Sequence, residues 1–140
     1  MNLVLNVFLC LLLLTVVAGE TLQPAFGKTC PKAESIVREE MRKDMLKEAR
    51  SVASIMRLQF HDCFVNGCDG SILLDDTPTL LGEKLALANI GSLRSFNVVD
   101  NIKIALEKAC PATVSCTDII IMASRDAVAI ISWFGQDRSP

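Results

Sequence analysis

The stretch RLQFHDCFVNGCDGSILL, Arg57 to Leu74, decides how the rest of the chain is read. It begins with helical spacing and ends among glycines, cysteines and aspartates, residues that stop helices and tie loops. His61 at its centre is the only histidine among 140 residues. Arg57 stands four residues before it, so on a helix the two share a face, about 6 Å apart along the axis. A cation beside an imidazole favours the neutral ring, the form that accepts a proton. The same cation stabilises negative charge developing nearby. Spacing alone leaves a second reading open: a buried histidine with a surface arginine next to it.

The residues just downstream carry oxygen. Asp62, Asp69 and Ser71 offer side-chain oxygens, and glycine lets the carbonyls of Val65 and Gly67 turn inward. Oxygen-only ligation with two carboxylates suits a hard cation such as Ca²⁺. The spacing is not that of an EF-hand, and a polar turn without metal is the competing reading. Cys63 and Cys68 could close this loop as a disulfide. A zinc site using His61, Cys63, Cys68 and a further cysteine is also possible by residue type, but it needs thiolates that an oxidising compartment would remove.

The compartment is read from the N-terminus. MNLVLNVFLCLLLLTVVAGE is apolar from Leu3 to Ala18 apart from Asn6 and Thr15, and it ends in small residues. That pattern is expected of a signal peptide over residues 1–19, cut after Ala18 or Gly19, which leaves 20–140 as the mature domain. A membrane anchor is the alternative, but the run falls short of the ~18–20 apolar residues a span requires. A secreted chain, extracellular in a cell wall or apoplast or held in a vacuole, keeps Cys30, Cys63, Cys68, Cys110 and Cys116. Such cysteines pair, and five leave one over. Fourteen basic against sixteen acidic residues give a net charge of −2, which supplies no basic face for nucleic acid.

Elsewhere the chain reads as helix. After Pro31, a good first-turn residue, Val37, Met41, Met45 and Ala49 recur at steps of four between charged residues. The rhythm shifts near Arg50 and resumes as Val52, Ala53, Met56 and Phe60, which predicts two helices or one bent helix. From Asp62 to Asn89 no helical period holds, so a long ordered loop is expected. Helical spacing returns at Val98, Ile102, Ala105 or Leu106, and Ala109. Ser115 and Asp118 form a capping box ahead of IIIMASRDAVAII. The fold class expected is all-α.

Taken together, RLQFHDCFVNGCDGSILLDD resembles the segment of secretory plant (class III) haem peroxidases that faces peroxide on the distal side of the haem. TCPKAESIVRE, GEKLALANIGSLRSFNVVDNIK, ACPATVSCTDII and ASRDAV follow in that family's order and spacing, so the resemblance covers about Phe26 to Ile131. It implies the distal half of the haem-dependent peroxidase fold, stapled by disulfides and carrying a calcium loop. It implies H₂O₂ as substrate and phenolic small molecules as donors, with haem b and Ca²⁺ as cofactors and no membrane partner once the leader is removed. By position, His61 resembles the acid–base histidine and Arg57 the stabiliser of charge as the O–O bond breaks. Asn89 resembles the asparagine that accepts the His61 Nδ1–H, and Phe60 the aromatic lining the peroxide pocket, so that Arg57 and Phe60 would meet the haem. Asp62, Val65, Gly67, Asp69 and Ser71 resemble the calcium ligands, with Glu83 reaching that ion through water. Cys30–Cys110 and Cys63–Cys68 are the disulfides implied, with Cys116 resembling a cysteine whose partner lies downstream.

Three positions depart from the family pattern: Gln59 stands for a histidine, Ser95 for a glycine and Thr117 for an alanine. The larger departure is that His61 cannot be both a free base and the axial ligand of iron. The 140 residues are therefore expected to form a distal half ended early, with little or no turnover by themselves. The competing functional reading is a catalytically impaired calcium-binding fragment lacking the proximal haem ligand. IIIMASRDAVAIISWF is the segment expected to expose an apolar patch and favour association.

Overall fold

The computed structural model describes residues 25–136, with side chains up to residue 132; the leader expected over 1–19 lies outside the described residues. Four helices form α1 (Ala33–Lys47), α2 (Ser51–Cys63), α3 (Phe96–Ala109) and α4 (Cys116–Gln136). Short 3₁₀ turns lie at Ala25–Gly27, Ser71–Leu73 and Glu83–Leu85. Among the described residues there is no β-strand, and one isolated bridge, Thr77 with Leu80, pins the tip of the long loop. The expected all-α architecture is the one observed.

α4 lies against both α1 and α2, while α1 packs on α3. The shared core is aliphatic: Val37 and Met41 from α1, Val52, Ile55 and Leu58 from α2, Ile102 and Leu106 from α3, Ile119 and Ile120 from α4. Fully burying each such side chain contributes about 1.5–3 kcal/mol. Asp126 is buried within α4, and its Oδ1 meets Arg125 at 3.1 Å and Arg38 of α1 at 3.5 Å. Cys30 is bonded to Cys110 across 80 residues of sequence. That bridge ties the entry of α1 to the exit of α3, and closing so long a loop restricts the unfolded chain by about 4–5 kcal/mol.

Of the two readings the sequence left open, two helices is the one observed, because Glu48 is extended at φ −143° and caps α1 on Asp44. Three details differ from expectation. Ala49, expected in the apolar row of α1, lies between the helices and is exposed. On α2 only Val52 of the expected apolar row is buried. The inner face is instead Val52, Ile55, Leu58 and Asp62, and Ala53, Met56 and Phe60 point outward. Both stripes are apolar, so periodicity could not tell inner from outer. The third concerns α4, whose Ile119, Ile120, Met122, Ala123, Ala127 and Ile130 are core, with only Ile121, Val128 and Ile131 exposed among its large aliphatics. The larger apolar exposure lies instead on α2 and the loop after it.

The capping of α4 follows the sequence: Ser115 Oγ accepts the Asp118 amide at 3.0 Å and donates to the Asp118 carboxylate at 2.7 Å. α3 begins less comfortably. Ser95 adopts φ +69°, a left-handed conformation that glycine takes without cost.

Candidate active site

The site is built on the outward face of α2 and the loop that returns to it. Arg57 and His61 lie one turn apart on that helix. The His61 ring is half-buried and meets the edge of Phe60, with ring centroids 5.5 Å apart and planes at 88°. Phe60 stacks on Phe64 at 4.6 Å. These two phenylalanines are 52% and 75% exposed. The two phenylalanines form an exposed aromatic pair next to the His61 imidazole, an apolar patch of the kind that marks contact surfaces.

Arg57 is held from across the loop. Its Nη2 donates to the Ala88 carbonyl at 3.3 Å and to Ser92 Oγ at 3.2 Å. The same Ala88–Ser92 turn carries Asn89, which is 6% exposed. Asn89 Nδ2 donates to the Glu83 carbonyl at 2.8 Å, which fixes the amide with Oδ1 as its free end. That oxygen is buried and has no hydrogen-bond partner. The bond expected from His61 Nδ1 is therefore not formed here, although the acceptor it needs is buried and uncommitted.

Below this face sits the oxygen-rich loop. Asp62, 3% exposed, turns inward from α2; its Oδ2 accepts the Gly70 amide at 3.2 Å and its Oδ1 is buried without a partner. A bare buried carboxylate oxygen costs roughly 1–3 kcal/mol unless something satisfies it, and a cation would do so. Asp69 Oδ1 accepts the Ser71 amide at 2.9 Å, and the Ser71 hydroxyl donates to Glu83 Oε1 at 3.1 Å. Hydrogen bonding by Ser71 holds the Asp69 carboxyl below its ordinary value. Among the described residues there is no cluster of three or more histidine, cysteine, aspartate or glutamate side chains. By donor type, the two carboxylates and one hydroxyl of Asp62, Asp69 and Ser71 suit a hard cation and not zinc. The zinc reading also fails on its sulfurs, since Cys63 and Cys68 are bonded to each other.

That disulfide pins the end of α2 to the loop, with Val65 and Gly67 in the exposed turn it closes. Gly70 is required twice over. Its φ is +77°, and a Cβ there would stand 3.0 Å from Thr117 Oγ1 at the start of α4. Cys116 beside it is free and exposed. Of the residues singled out in the sequence, Arg57 reaches the Ala88–Ser92 turn that carries Asn89, and Asp69, Ser71 and Glu83 are linked through hydrogen bonds of Ser71; no hydrogen bond joins His61 to Asn89 or Asp62 to Asp69 among the described residues. Sequence reading missed Ser92, whose only signal was a hydroxyl three residues after Asn89, within reach in a turn.

Known proteins resemble this chain over most of its length. A family model described as peroxidase matches residues 37–137. The chain is 73% identical over 132 residues to Peroxidase 17 of Arabidopsis thaliana, covering 93% of this chain and 40% of that protein. It is 48% identical to Peroxidase RIP1 of Medicago truncatula and 46% to Peroxidase N of Armoracia rusticana, over 90% and 91% of this chain. It spans about two fifths of the length of these curated relatives. By the family model and by these relatives, the chain belongs to the peroxidase family, alongside the class III peroxidases of plants.

Proposed function

We propose that this chain supplies the peroxide-activating side of a secreted haem peroxidase that reduces H₂O₂ and oxidises phenolic donors. The observation that carries the reading is the outward face of α2, where His61 and Arg57 stand beside exposed Phe60 with Asn89 Oδ1 buried and unpaired behind them. The residues fit one wall of a haem pocket: an aromatic surface, a base and a cation, and no second imidazole to grip iron. A haem held against this wall supplies the iron at which peroxide is cleaved and the oxidising equivalents passed to a donor.

The residues then divide the work. His61 Nε2 accepts a proton from the near oxygen of peroxide and returns it to the far one, a transfer worth about 10²–10⁴-fold in rate when well placed. Asn89 Oδ1, once it accepts the Nδ1–H, fixes the tautomer that leaves Nε2 basic. Arg57 stabilises the negative charge that builds on the departing oxygen. Asp62, Val65, Gly67, Asp69 and Ser71, with Glu83 nearby, would hold Ca²⁺, and Asp62, next to His61 in sequence, would tie the bound ion to the end of α2. Glu83 links the two halves, because its carbonyl anchors Asn89 and its carboxylate takes the Ser71 hydroxyl.

The test is a chimera in which residues 25–136 replace the matching segment of Peroxidase 17, whose remaining length is available to complete the fold. Haem-loaded chimera is expected to oxidise a phenolic donor with H₂O₂, and His61→Ala is expected to reduce that rate by about 10²–10⁴-fold. A folded, haem-loaded chimera with no peroxide-dependent oxidation overturns the proposal.

A further inference from the structure

We infer that Ser92 is a positioning residue for Arg57, holding the guanidinium over the site through a neutral acceptor that leaves its charge undiminished. The inference rests on the reading of Arg57 as the stabiliser of developing charge. The Ser92 hydroxyl has one proton, and two carbonyls lie within its reach, Ala88 O at 2.9 Å and Asn89 O at 3.0 Å. That proton is therefore directed into the turn, and the lone pairs are left for the Arg57 Nη2 at 3.2 Å.

The second anchor of Arg57 is again neutral, the Ala88 carbonyl at 3.3 Å. No carboxylate among the described residues forms an ion pair with it, or with Arg50 and Arg94, whereas Arg38, Arg42 and Arg125 each have one. The contrast has a physical consequence. A carboxylate partner would fix the guanidinium equally well but would cancel much of the field it exerts on a substrate oxygen. Two neutral oxygens restrict its rotation and leave the full positive charge available. An exposed, long side chain has several rotamers to lose, so removing one of two anchors frees it.

The same hydroxyl also closes the turn that carries Asn89. Ser92 thus sets the position of the cation through one bond and stabilises the support of the imidazole's acceptor through the other. A turn-capping role alone would involve only the second.

The experiment separates these roles in the 140-residue chain without haem, by side-chain ¹⁵N NMR of Arg57 in wild type, Ser92→Ala and Ser92→Thr. Wild type is expected to show resolved Nη signals and a nuclear Overhauser contact between the Arg57 Hη protons and Ser92 Hβ. Ser92→Ala is expected to lose the resolved signals to a single averaged one, with the Leu93 and Asn89 amides little shifted. Ser92→Thr, which keeps the hydroxyl, is expected to restore them. An averaged Arg57 signal in the wild type, an unchanged one in Ser92→Ala, or failure of threonine to restore it each overturns the inference. In the chimera described above, Ser92→Ala is expected to slow the reaction with peroxide about tenfold while donor oxidation keeps its rate constant; equal loss in both steps also counts against it. If the parent chimera shows no peroxide chemistry, the functional reading fails while the NMR comparison still decides how Arg57 is held.

Discussion

The two faces of α2 are built from similar residues and used in opposite ways. Val52, Ile55 and Leu58 are sealed against α4 and the rest of the core, whereas Met56, Phe60 and, just past the helix end, Phe64 are turned to solvent beside Arg57 and His61. Both faces are apolar, so hydrophobicity does not separate them. What separates them is the company they keep: aliphatic neighbours on one side, a base, a cation and a hydrogen-bonded loop on the other. Stability is concentrated on the first face, and the chemistry proposed above belongs to the second.

The sharpest contrast is in stability. Leu58→Ala is expected to cost about 2–5 kcal/mol, because it opens a cavity in a closed core. Phe60→Ala, although it removes a larger side chain, is expected to cost under about 1 kcal/mol in the haem-free chain. Urea denaturation of the two variants measures this. Equal losses would mean that the outward face is packed in solution by something not described here.

A smaller effect is expected from the loop beneath. Calcium at one hundred times its dissociation constant should stabilise the wild type by about 2.7 kcal/mol. Asp62→Asn, which leaves the buried position without its charge, should abolish that increment, as read by thermal melts with and without chelator. Indifference of the wild type to Ca²⁺ would remove the calcium reading and leave the loop a polar turn.

Smaller again is Ser95→Gly. Relief of a left-handed serine at the start of α3 is expected to outweigh glycine's greater unfolded-state freedom by about 0.5–1 kcal/mol. A destabilised variant would show that the serine side chain offsets its own strain.

The least effect is expected from pH at the far end of α3. The Lys103 ammonium at 2.7 Å, and then the Ala112 amide, hold the Glu107 carboxyl below its ordinary 4.5. A depressed carboxyl stabilises above its unfolded value, and that contribution is lost as pH falls through the lower folded one. Glu107→Gln should therefore flatten a slight decline in stability below about pH 4.5, seen as converging melting curves of the two proteins; a decline of unchanged slope would assign it to other carboxyls.

Much of this was legible in the sequence, for identifiable reasons. The break after Lys47, the helix of Val98 to Leu106 and the Ser115 cap follow from spacing and polar chemistry close in sequence. The links from Ser71 to Asp69 and Glu83 lie within one loop of a dozen or so residues, a span where polar side chains around glycines are readable as neighbours. What periodicity could not decide was which apolar stripe of α2 faces inward, since that is settled by α4, about sixty residues away. Nor could it find Ser92 and Asp126, whose partners Arg57 and Arg38 lie 35 and 88 residues distant. The segment Ile119 to Ile131 reads as an exposed patch only while its packing partners are unknown; with α1 and α2 in place most of it is core.

At the centre of the account, His61 is a proton carrier and not a ligand of iron. The most direct measurement is the absorption spectrum and donor oxidation of the 140-residue chain mixed with haem, for wild type and His61→Ala. The expected result is the same haem spectrum in both and no appreciable turnover in either. A histidine-ligated haem spectrum that disappears with His61→Ala would contradict it.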